Sequence, residues 1–177
     1  MEHKGFTLWF TGLPCSGKTT LADEVAKELK ARGMKVERLD GDIVREGLTR
    51  DLGFSKEDRA MNIERVTFVA KLLTRNGVAV LATFVSPYNE IRHKSREEIG
   101  EYKLVYVKAS PEACAERDVK GMWAKAKAGE IKDFTGHDDP FEEPDDADII
   151  IDTEKETVEE SKKNVITALE QMGYLAN

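Results

Sequence analysis

The fold is decided by the stretch Gly12-Leu13-Pro14-Cys15-Ser16-Gly17-Lys18-Thr19, which matches the phosphate-binding pattern G-x-x-x-x-G-K-[ST] at every fixed position. Its glycines let the backbone curl so that successive amide groups point at phosphate oxygens, and a following helix adds the partial positive charge of its first turn. Lys18 is expected to reach the β- and γ-phosphates of a nucleoside triphosphate, and the Thr19 hydroxyl to bind Mg²⁺. A chance glycine-rich turn is the competing interpretation.

The residues on either side of this loop favour the nucleotide site. An apolar run at 6–11 precedes it as a candidate strand, and a helix follows, marked by Leu21, Val25 and Leu29 at four-residue spacing and ended by Gly33. A phosphate loop of this class joins a strand to a helix in the same way. The motif alone does not separate kinases from GTPases or ATPases, but no Asn/Thr-Lys-x-Asp segment that would read guanine is visible.

Short apolar runs alternate with amphipathic stretches along the rest of the chain. Candidate strands at 36–40, 78–84, 102–109 and 149–151 join the run at 6–11, and helical stripes lie between and after them. Strands that are apolar on both faces and separated by helices imply a parallel sheet covered on both sides. The prediction is an α/β fold of the P-loop NTPase type, doubly wound, with a mainly parallel sheet of about five strands and helices on both faces.

One segment does not fit this alternation within the single domain expected for residues 1–177. Residues 120–144 hold five Lys and Glu residues before Phe134, and then Gly136, Pro140 and Pro144. The segment looks too polar for the core and too long for a plain connection, so we predict a mobile lid. A lid that keeps water away from the γ-phosphate favours a small-molecule kinase.

The composition excludes several classes of function. Hydrophobic residues make up 40% and charged residues 34% of the 177-residue chain, which is typical of folded soluble proteins. The formal net charge of −7 disfavours nucleic acid or an anionic membrane as a partner. No apolar run approaches the roughly 20 residues that span a bilayer, no signal peptide is recognisable, and two cysteines give no disulfide framework. We expect a reduced, cytoplasmic protein without a nucleic-acid or membrane partner.

A second group of polar residues follows the second predicted strand. Asp40 and Asp42 lie where the carboxyl ends of parallel strands place ligands, and such a carboxylate pair can orient a metal ion and an attacking hydroxyl. Arg45 and Arg59 can hold an anionic acceptor, and Phe54 offers a stacking face. A solvated acidic turn with surface arginines explains each residue singly, but not their clustering beside a phosphate loop.

With these motifs the sequence resembles the adenylylsulfate kinase family. The elements of that family occur in order: the phosphate loop, Asp-Gly-Asp-x-x-Arg at 40–45, Asp-Leu-Gly-Phe-Ser-x-x-Asp-Arg-x-x-Asn-Ile at 51–63, Ser-Pro-Tyr at 86–88, and a lid sequence from Lys120-Gly-Met-Trp-Ala-Lys125 to Gly129-Glu-Ile-Lys132-Asp-Phe134-Thr-Gly136. The resemblance covers nearly the whole chain and looks like the stand-alone form, without a sulfurylase or GTPase domain. It implies that ATP phosphorylates the 3′-hydroxyl of adenylyl sulfate to give 3′-phosphoadenylyl sulfate and ADP in sulfate assimilation, with Mg²⁺ as cofactor and a homodimer as assembly.

The resemblance also implies which residues bind each substrate. For ATP they are the loop residues Gly12, Leu13, Pro14, Cys15, Ser16, Gly17, Lys18, Thr19 and Thr20, with Thr153 near the base and Arg117 either stacking there or lying on the surface. For adenylyl sulfate, bound by the segment 40–65 and its surroundings, they are Asp42, Arg45, Phe54, Arg59, Asn62, Val85, Ser86, Lys132 and Phe134. The two phenylalanines would sandwich the adenine, the arginines and Asn62 would grip the phosphosulfate end, and Lys132 would close over phosphate charge.

The same resemblance implies a small set of catalytic groups. Asp42 would orient and deprotonate the 3′-hydroxyl, Asp40 would act through Mg²⁺ and a water beside Thr19, and Lys18 would hold the phosphate that is transferred. Ser86 matches a serine that is described as a phosphoserine intermediate in some family members. Direct in-line transfer needs only positioning and electrostatic stabilisation, so we favour a plain hydroxyl of the acceptor pocket as the role of Ser86.

The sequence departs from the family pattern at a few positions. Lys127, Glu64 and Asn89 stand where arginine is frequent, although Arg92 could replace the acceptor contact that Asn89 lacks. These departures concern substrate affinity and lid closure rather than the class of reaction. Two alternatives stay open: another small-molecule or nucleotide kinase on the same scaffold, and a non-catalytic ATP-binding regulatory protein.

Overall fold

The sheet is built from five strands that all run parallel. In the computed structural model, which describes residues 4–176, the strands are β1 (Phe6–Thr11), β2 (Val36–Asp40), β3 (Ala79–Thr83), β4 (Tyr102–Lys108) and β5 (Ile149–Asp152). They lie in the order β2-β3-β1-β4-β5, and each neighbouring pair is parallel. The predicted α/β fold with a five-stranded parallel sheet is confirmed.

Helices connect the strands and cover the sheet within the described part of the chain. They are α1 (Lys18–Ala31), α2 (Gly41–Glu46), α3 (Lys56–Arg75), α4 (Asn89–Ile99), α5 (Pro111–Arg117), α6 (Met122–Lys127) and α7 (Val158–Gln171). The predicted helices after the phosphate loop, before β3 and at the end of the chain correspond to α1, α3 and α7. None of the helices found between residues 4 and 176 combines the length and the apolar character needed to span a bilayer.

The side chains of β1 show how both faces of the sheet are covered. Phe6, Leu8 and Phe10 point to one face, where they pack in one apolar cluster with residues of α1 and α7. Trp9 points to the other face and packs with apolar residues of α3 and with Tyr102. Every residue of β1 is buried, as expected for a central strand between two helix layers.

The edge strands are less buried than the sequence analysis expects. Ile150 of β5 leaves 61% of its surface exposed, and the residues of β2 are half-buried or exposed. An edge strand has a strand neighbour on one side only, so fewer side chains cover it. The expectation that all strands are buried on both faces therefore holds for the central strands alone.

Several helices have no counterpart in the sequence prediction, and α4 is the clearest case. Its inward positions include Arg92 and Ser95 besides Ile99, so its buried face is not an apolar stripe. By contrast, α5 begins with Ser110 as the N-cap and Pro111 in the first turn, a start signal that the sequence does contain. Hydrophobic periodicity misses α4 because the residues that pack inward are polar.

Residues 120–144, the predicted lid, contribute to the core at two points. Trp123 of α6 and Phe134 are buried, and their rings meet edge-on with centroids 5.1 Å apart. Both belong to an apolar cluster that includes Leu13 of the phosphate loop and Cys114 of α5. The expectation that this segment is too polar for the core is wrong for these two residues, because its charged side chains stay outside while its aromatic rings point inward.

Candidate active site

The phosphate loop joins β1 to α1 at the carboxyl edge of the sheet. Gly17 caps α1 with a φ of 103°, in the left-handed region that glycine adopts without strain. At Gly12 a larger residue does not fit, because a Cβ would lie 2.4 Å from the carbonyl oxygen of Val107 on β4. The path of the loop thus requires glycine at both positions, and it ends at the N-terminus of a 14-residue helix, where phosphate binds favourably.

Lys18 lies within this loop and is held by its backbone. Its ammonium group donates hydrogen bonds to the carbonyl oxygens of Gly12 at 2.9 Å and Leu13 at 2.7 Å. Burial lowers the pKa of Lys18 from its usual 10.5 to about 8. A cation that has lost much of its hydration gains from an anionic partner, so the loop is electrostatically prepared for phosphate oxygens.

Asp40 ends β2 and receives three hydrogen bonds on its carboxylate. Its Oδ2 accepts from the hydroxyls of Thr19 at 2.9 Å and Thr83 at 2.7 Å, and its Oδ1 accepts from the Asp42 amide at 3.1 Å. Burial opposes the ionisation of Asp40, but these hydrogen bonds outweigh it and lower the pKa of the carboxyl. The Thr19 hydroxyl and an ionised Asp40 form a hard oxygen donor set of the kind that Mg²⁺ prefers.

Asp42 is the second carboxylate and lies in the first turn of α2. Its side chain is exposed, and its Oδ2 pairs with the ammonium group of Lys120 from the lid segment. The hydrogen bond to Asp42 raises the pKa of Lys120. No role for Lys120 itself is predicted from the sequence, because Lys120 and Asp42 are 78 positions apart and only the tertiary fold brings them together.

A cavity of about 520 Å³ lies between the segment 40–65 and the lid. The predicted acceptor residues that line it are Arg45, Phe54, Arg59, Asn62, Val85, Ser86, Lys132 and Phe134. Asp42 is not part of the lining, but the neighbouring Gly41 is. The volume falls in the range that holds a small organic ligand, so the structure brings the predicted acceptor residues together around one binding space.

Phe54 and Phe134 take different positions on the wall of this cavity. Phe54 is 71% exposed, and the guanidinium of Arg45 lies 4.3 Å from the centroid of its ring. Phe134 is buried and braced by Trp123. The cavity therefore has one fixed aromatic wall from the lid and one exposed ring from the segment 40–65, both of which can stack on a flat base.

Two guanidinium groups give the cavity a positive end. Burial and then the charge of Arg59 lower the pKa of Arg45. Arg59 donates to the carbonyl oxygen of Phe54 at 2.9 Å and pairs with Asp139 of the lid at 3.1 Å. Asn62 is buried, with its side-chain oxygen accepting from the Thr49 hydroxyl at 2.7 Å. Because the positive charges of two neighbouring guanidinium groups repel each other, binding of an anionic ligand next to them is favourable.

Ser86 lies buried in the cavity wall after β3, with a φ of 37° that is unusual for a residue with a side chain. Its hydroxyl accepts from the indole nitrogen of Trp9 at 2.9 Å and donates to the carbonyl oxygen of Phe84 at 3.2 Å. Within residues 4–176, no carboxylate, imidazole or amine is hydrogen-bonded to this hydroxyl. A serine nucleophile needs an adjacent base, so the arrangement agrees with a plain pocket hydroxyl.

Thr153 and Arg117 lie beside the phosphate loop and contact each other. The Thr153 hydroxyl donates to the carbonyl oxygen of Ser16 at 2.9 Å. Arg117 donates to the hydroxyl and to the carbonyl oxygen of Thr153, both at 3.0 Å, and to the carbonyl oxygen of Cys15 at 3.4 Å. Arg117 therefore lies on the surface, as one of the two predicted alternatives has it, and is tied to the loop by these hydrogen bonds. Thr20 is exposed in the first turn of α1.

The positions at which the sequence departs from the pattern of the family that it resembles lie mostly on the surface. Glu64 pairs with Lys94 at 3.3 Å, and Lys127 is exposed. The side-chain oxygen of Asn89 accepts from Arg92. The expectation that Arg92 could supply an acceptor contact is wrong, because this residue is buried behind Ser86 and does not line the cavity.

Comparison with known protein sequences gives a match over most of the chain. The sequence profile of a family described as adenylylsulphate kinase matches residues 4–152. An adenylyl-sulfate kinase from Halothermothrix orenii is 58% identical over 174 residues, which cover 98% of this chain and 94% of that protein. The similarity therefore includes the phosphate loop, the segment 40–65 and the lid.

Solved structures agree with the sequence match. The Mycobacterium tuberculosis APS kinase CysC, solved in complex with AMPPNP and APS, is 40% identical and has a TM-score of 0.90, with 95% of this chain and 99% of that chain covered. A hexameric APS kinase from Thiobacillus denitrificans is 32% identical with a TM-score of 0.77, and the match covers 98% of this chain and 30% of that one. The P-loop NTPase-like fold is shared with both.

Proposed function

The chain belongs to the adenylylsulphate kinase family and is an ATP-dependent adenylyl-sulfate kinase, and from this premise we propose how its residues carry out the transfer. The γ-phosphate of ATP passes to the 3′-hydroxyl of adenylyl sulfate, giving ADP and 3′-phosphoadenylyl sulfate. The observation that carries the proposal is the place of Asp42. Its amide donates to Asp40, which accepts from Thr19 of the phosphate loop, and its neighbour Gly41 lines the cavity that gathers the acceptor residues. The relative solved with AMPPNP and APS supports the same pair of substrates.

On the donor side, the phosphate loop holds the triphosphate of ATP. Lys18 places its charge on the β- and γ-phosphates, and the loop amides bind the remaining oxygens. Mg²⁺ would be held by the Thr19 hydroxyl, with Asp40 acting through a water, and when bound it neutralises charge on the phosphates. Arg117 and Thr153 support the loop from the side where we place the ATP base.

On the acceptor side, Asp42 takes the proton of the 3′-hydroxyl. As that oxygen attacks the γ-phosphorus, the bond to the bridging oxygen breaks and ADP leaves. Phe54 and Phe134 hold the adenine between them, while Arg45 and Arg59 bind the phosphosulfate. Because the reaction is mostly a matter of positioning, holding both nucleotides rigidly supplies much of the rate enhancement.

The segment 120–144 serves as a lid within a single domain in this proposal. Its residues Phe134 and Lys132 line the acceptor cavity, and its Lys120 forms an ion pair with Asp42. Its closure would exclude water from the γ-phosphate, and so prevent hydrolysis of ATP in place of transfer.

Release of ADP with a panel of acceptors tests the function. Adenylyl sulfate should support turnover, whereas adenylate, shikimate and gluconate should not. ADP release with another member of the panel and none with adenylyl sulfate would replace the proposed acceptor. ATP binding without turnover on any of them would point to the non-catalytic regulator.

The role of Asp42 has its own test within the same assay. Asp42→Asn should lower turnover by about 10²–10⁴-fold, the usual contribution of a general base, while ATP binding measured by calorimetry persists. Glu159→Gln, which removes an exposed carboxylate of α7 that pairs with Lys162 outside both substrate sites, serves as the control and should keep full turnover. Full activity of Asp42→Asn would remove this residue from the mechanism.

Assembly and location are further parts of the proposal. We expect a homodimer in the cytoplasm. The hexameric relative from Thiobacillus denitrificans supports self-association within the family, but the match covers only 30% of that longer chain. Light scattering on the purified protein would give the mass directly, and a monomer mass would contradict the dimer.

A further inference from the structure

A buried arginine lies behind the acceptor cavity, outside both substrate sites. Arg92 of α4 is 1% exposed, and within residues 4–176 no other Lys, Arg, His, Asp or Glu residue has so little of its surface in contact with solvent. Its neighbour Ile91 lines the cavity, but Arg92 does not. Moving a charged group out of water is costly unless its partners compensate, so the partners of Arg92 indicate why it is there.

The guanidinium of Arg92 joins three parts of the chain. Its Nη1 donates to the carbonyl oxygen of Ser86 at 2.5 Å, and its Nη2 donates to Asn89 Oδ1 at 2.5 Å and to the carbonyl oxygen of Glu142 at 2.6 Å. The group also lies 5.6 Å from the centroid of the Phe141 ring. All three acceptor oxygens are neutral, and within the described residues Arg92 forms no ion pair. The guanidinium therefore binds carbonyl oxygens and not a carboxylate.

The bond to Ser86 fixes the wall of the cavity. A residue with a side chain keeps a φ of 37° only where the surrounding structure requires it. Two hydrogen bonds hold Ser86 in this conformation: Arg92 donates to its carbonyl oxygen, and the indole nitrogen of Trp9 donates to its hydroxyl. Val85, Ser86 and Pro87 all line the cavity, so the position of this wall depends on the guanidinium behind it.

The bond to Glu142 connects the same wall to the end of the lid. The Glu142 amide donates to the carbonyl oxygen of Pro87 at 2.8 Å, and its carboxylate accepts from the Asn89 amide at 2.7 Å. Arg92 also donates to the carbonyl oxygen of Glu142, so both the backbone and the side chain of Glu142 are hydrogen-bonded next to residues 86–89. The point at which the lid rejoins the body of the protein is therefore anchored to the acceptor wall.

We propose that Arg92 is a positioning residue for the acceptor: it holds residues 85–87 in the shape that binds adenylyl sulfate and ties this wall to the end of the lid. The inference rests on the proposed function, because the acceptor is the nucleotide named there. All hydrogen bonds of Arg92 lie on the acceptor side, and none reaches the phosphate loop. Replacement of Arg92 should therefore weaken the binding of adenylyl sulfate and leave the binding of ATP unchanged.

Steady-state kinetics of Arg92→Met test this, because methionine fills much of the space and removes every donor. The KM for adenylyl sulfate should rise by about tenfold to hundredfold, the range expected when charged hydrogen bonds that shape a binding wall are lost, while the KM for ATP stays near its wild-type value. Arg96→Met is the matched control. Arg96 lies one turn further along α4 and pairs with Asp146 and Asp148, but it contacts neither Ser86 nor Glu142, so both KM values should stay unchanged.

A purely structural role for Arg92 predicts a different pattern. Equal changes in both KM values, or the same selective change in Arg96→Met, would overturn the proposal. Where Arg92→Met does not fold, Arg92→Lys is measured instead, since a lysine lacks the fork that reaches two carbonyl groups at once. A selective rise in the KM for adenylyl sulfate then supports the proposal, and an unchanged KM overturns it. Failure of the proposed function can be distinguished from failure of the role of Arg92, because in the former case the wild-type protein itself would not phosphorylate adenylyl sulfate.

Discussion

Ser86 is the residue at which a covalent mechanism can be distinguished from direct transfer. Its hydroxyl lies between the indole nitrogen of Trp9 and the carbonyl oxygen of Phe84, and it is buried in the cavity wall. A nucleophile would have to leave both partners and lose its proton without a base beside it. The contacts of Ser86 explain its presence structurally, since they hold an uncommon backbone angle in place.

Ser86→Ala should therefore keep most of its phosphotransfer activity while losing stability. Removal of the hydroxyl leaves the buried indole N–H of Trp9 without its acceptor, which costs about 1–3 kcal/mol of unfolding free energy. Turnover and chemical denaturation of the variant check the two expectations. Abolished turnover in a folded Ser86→Ala, together with a phosphoserine found by mass spectrometry after incubation with ATP alone, would contradict direct transfer.

Lys18 links the chemistry of the phosphate loop to pH. Burial lowers its pKa to about 8, and phosphate oxygens next to the ammonium group would raise that pKa again. The free protein therefore loses this proton above pH 8, whereas the ATP complex keeps it. Proton uptake accompanies binding in this range, so the affinity for ATP must fall as pH rises through 8.

Calorimetric titration with ATP at pH 7 and pH 9 measures this linkage. The affinity should be about tenfold weaker at pH 9, and heats recorded in buffers of different ionisation enthalpy should reveal proton uptake. Lys18→Arg is the control, because a guanidinium stays charged at both pH values and should abolish the dependence whatever its own affinity. A pH dependence of equal size in Lys18→Arg would assign the effect to another group.

At the scale of single elements, the segment 120–144 supplies an aromatic ring, Phe134, that has contacts on two sides. Phe134 packs edge-on against Trp123 and also lines the acceptor cavity. Phe54 on the opposite segment is 71% exposed and lines the cavity without a comparable role in the core. A comparison of the two rings can therefore separate base stacking from packing of the lid.

Phe134→Ala and Phe54→Ala should each raise the KM for adenylyl sulfate much more than the KM for ATP. Stacking of a base on an aromatic ring contributes about 1–3 kcal/mol. Only Phe134→Ala should also lower the melting temperature, because its ring is buried in the core cluster. Kinetics and calorimetry on both variants check this, and equal effects on the two substrates would contradict the adenine sandwich.

The elements differ in how well the sequence predicts them. The bounds of β1 and β2 agree with the prediction. The strand β1 is a mostly apolar run, whereas β2 is a short, mostly polar stretch that Gly33 precedes and Gly41 follows. Helix α4 is not predicted, because its inward-facing residues Arg92 and Ser95 are polar and give no apolar periodicity. Their partners lie on distant segments of the chain. Glu142, which Arg92 contacts, is 50 residues away, and no local pattern encodes such a contact.

At the scale of the whole molecule, the parallel topology gathers the site at one edge of the sheet. The phosphate loop follows β1, Asp40 ends β2, Ser86 follows β3 and Thr153 follows β5, so each comes from the carboxyl end of a different strand. This arrangement could be predicted, because ligands of open parallel sheets bind beyond these strand ends. The pair of Lys120 with Asp42 could not, since it depends on how the lid folds over the sheet.

We propose that this edge of the sheet holds two nucleotides, with Asp42 directing the 3′-hydroxyl of adenylyl sulfate at the γ-phosphate of ATP. Mass spectrometry and phosphorus NMR of the product formed from ATP and adenylyl sulfate test it most directly. We expect a single new product, adenylyl sulfate phosphorylated at the 3′-position, with one ADP formed for each molecule of it. A phosphate at the 2′-position, or ADP formed by hydrolysis without a phosphorylated acceptor, would contradict it.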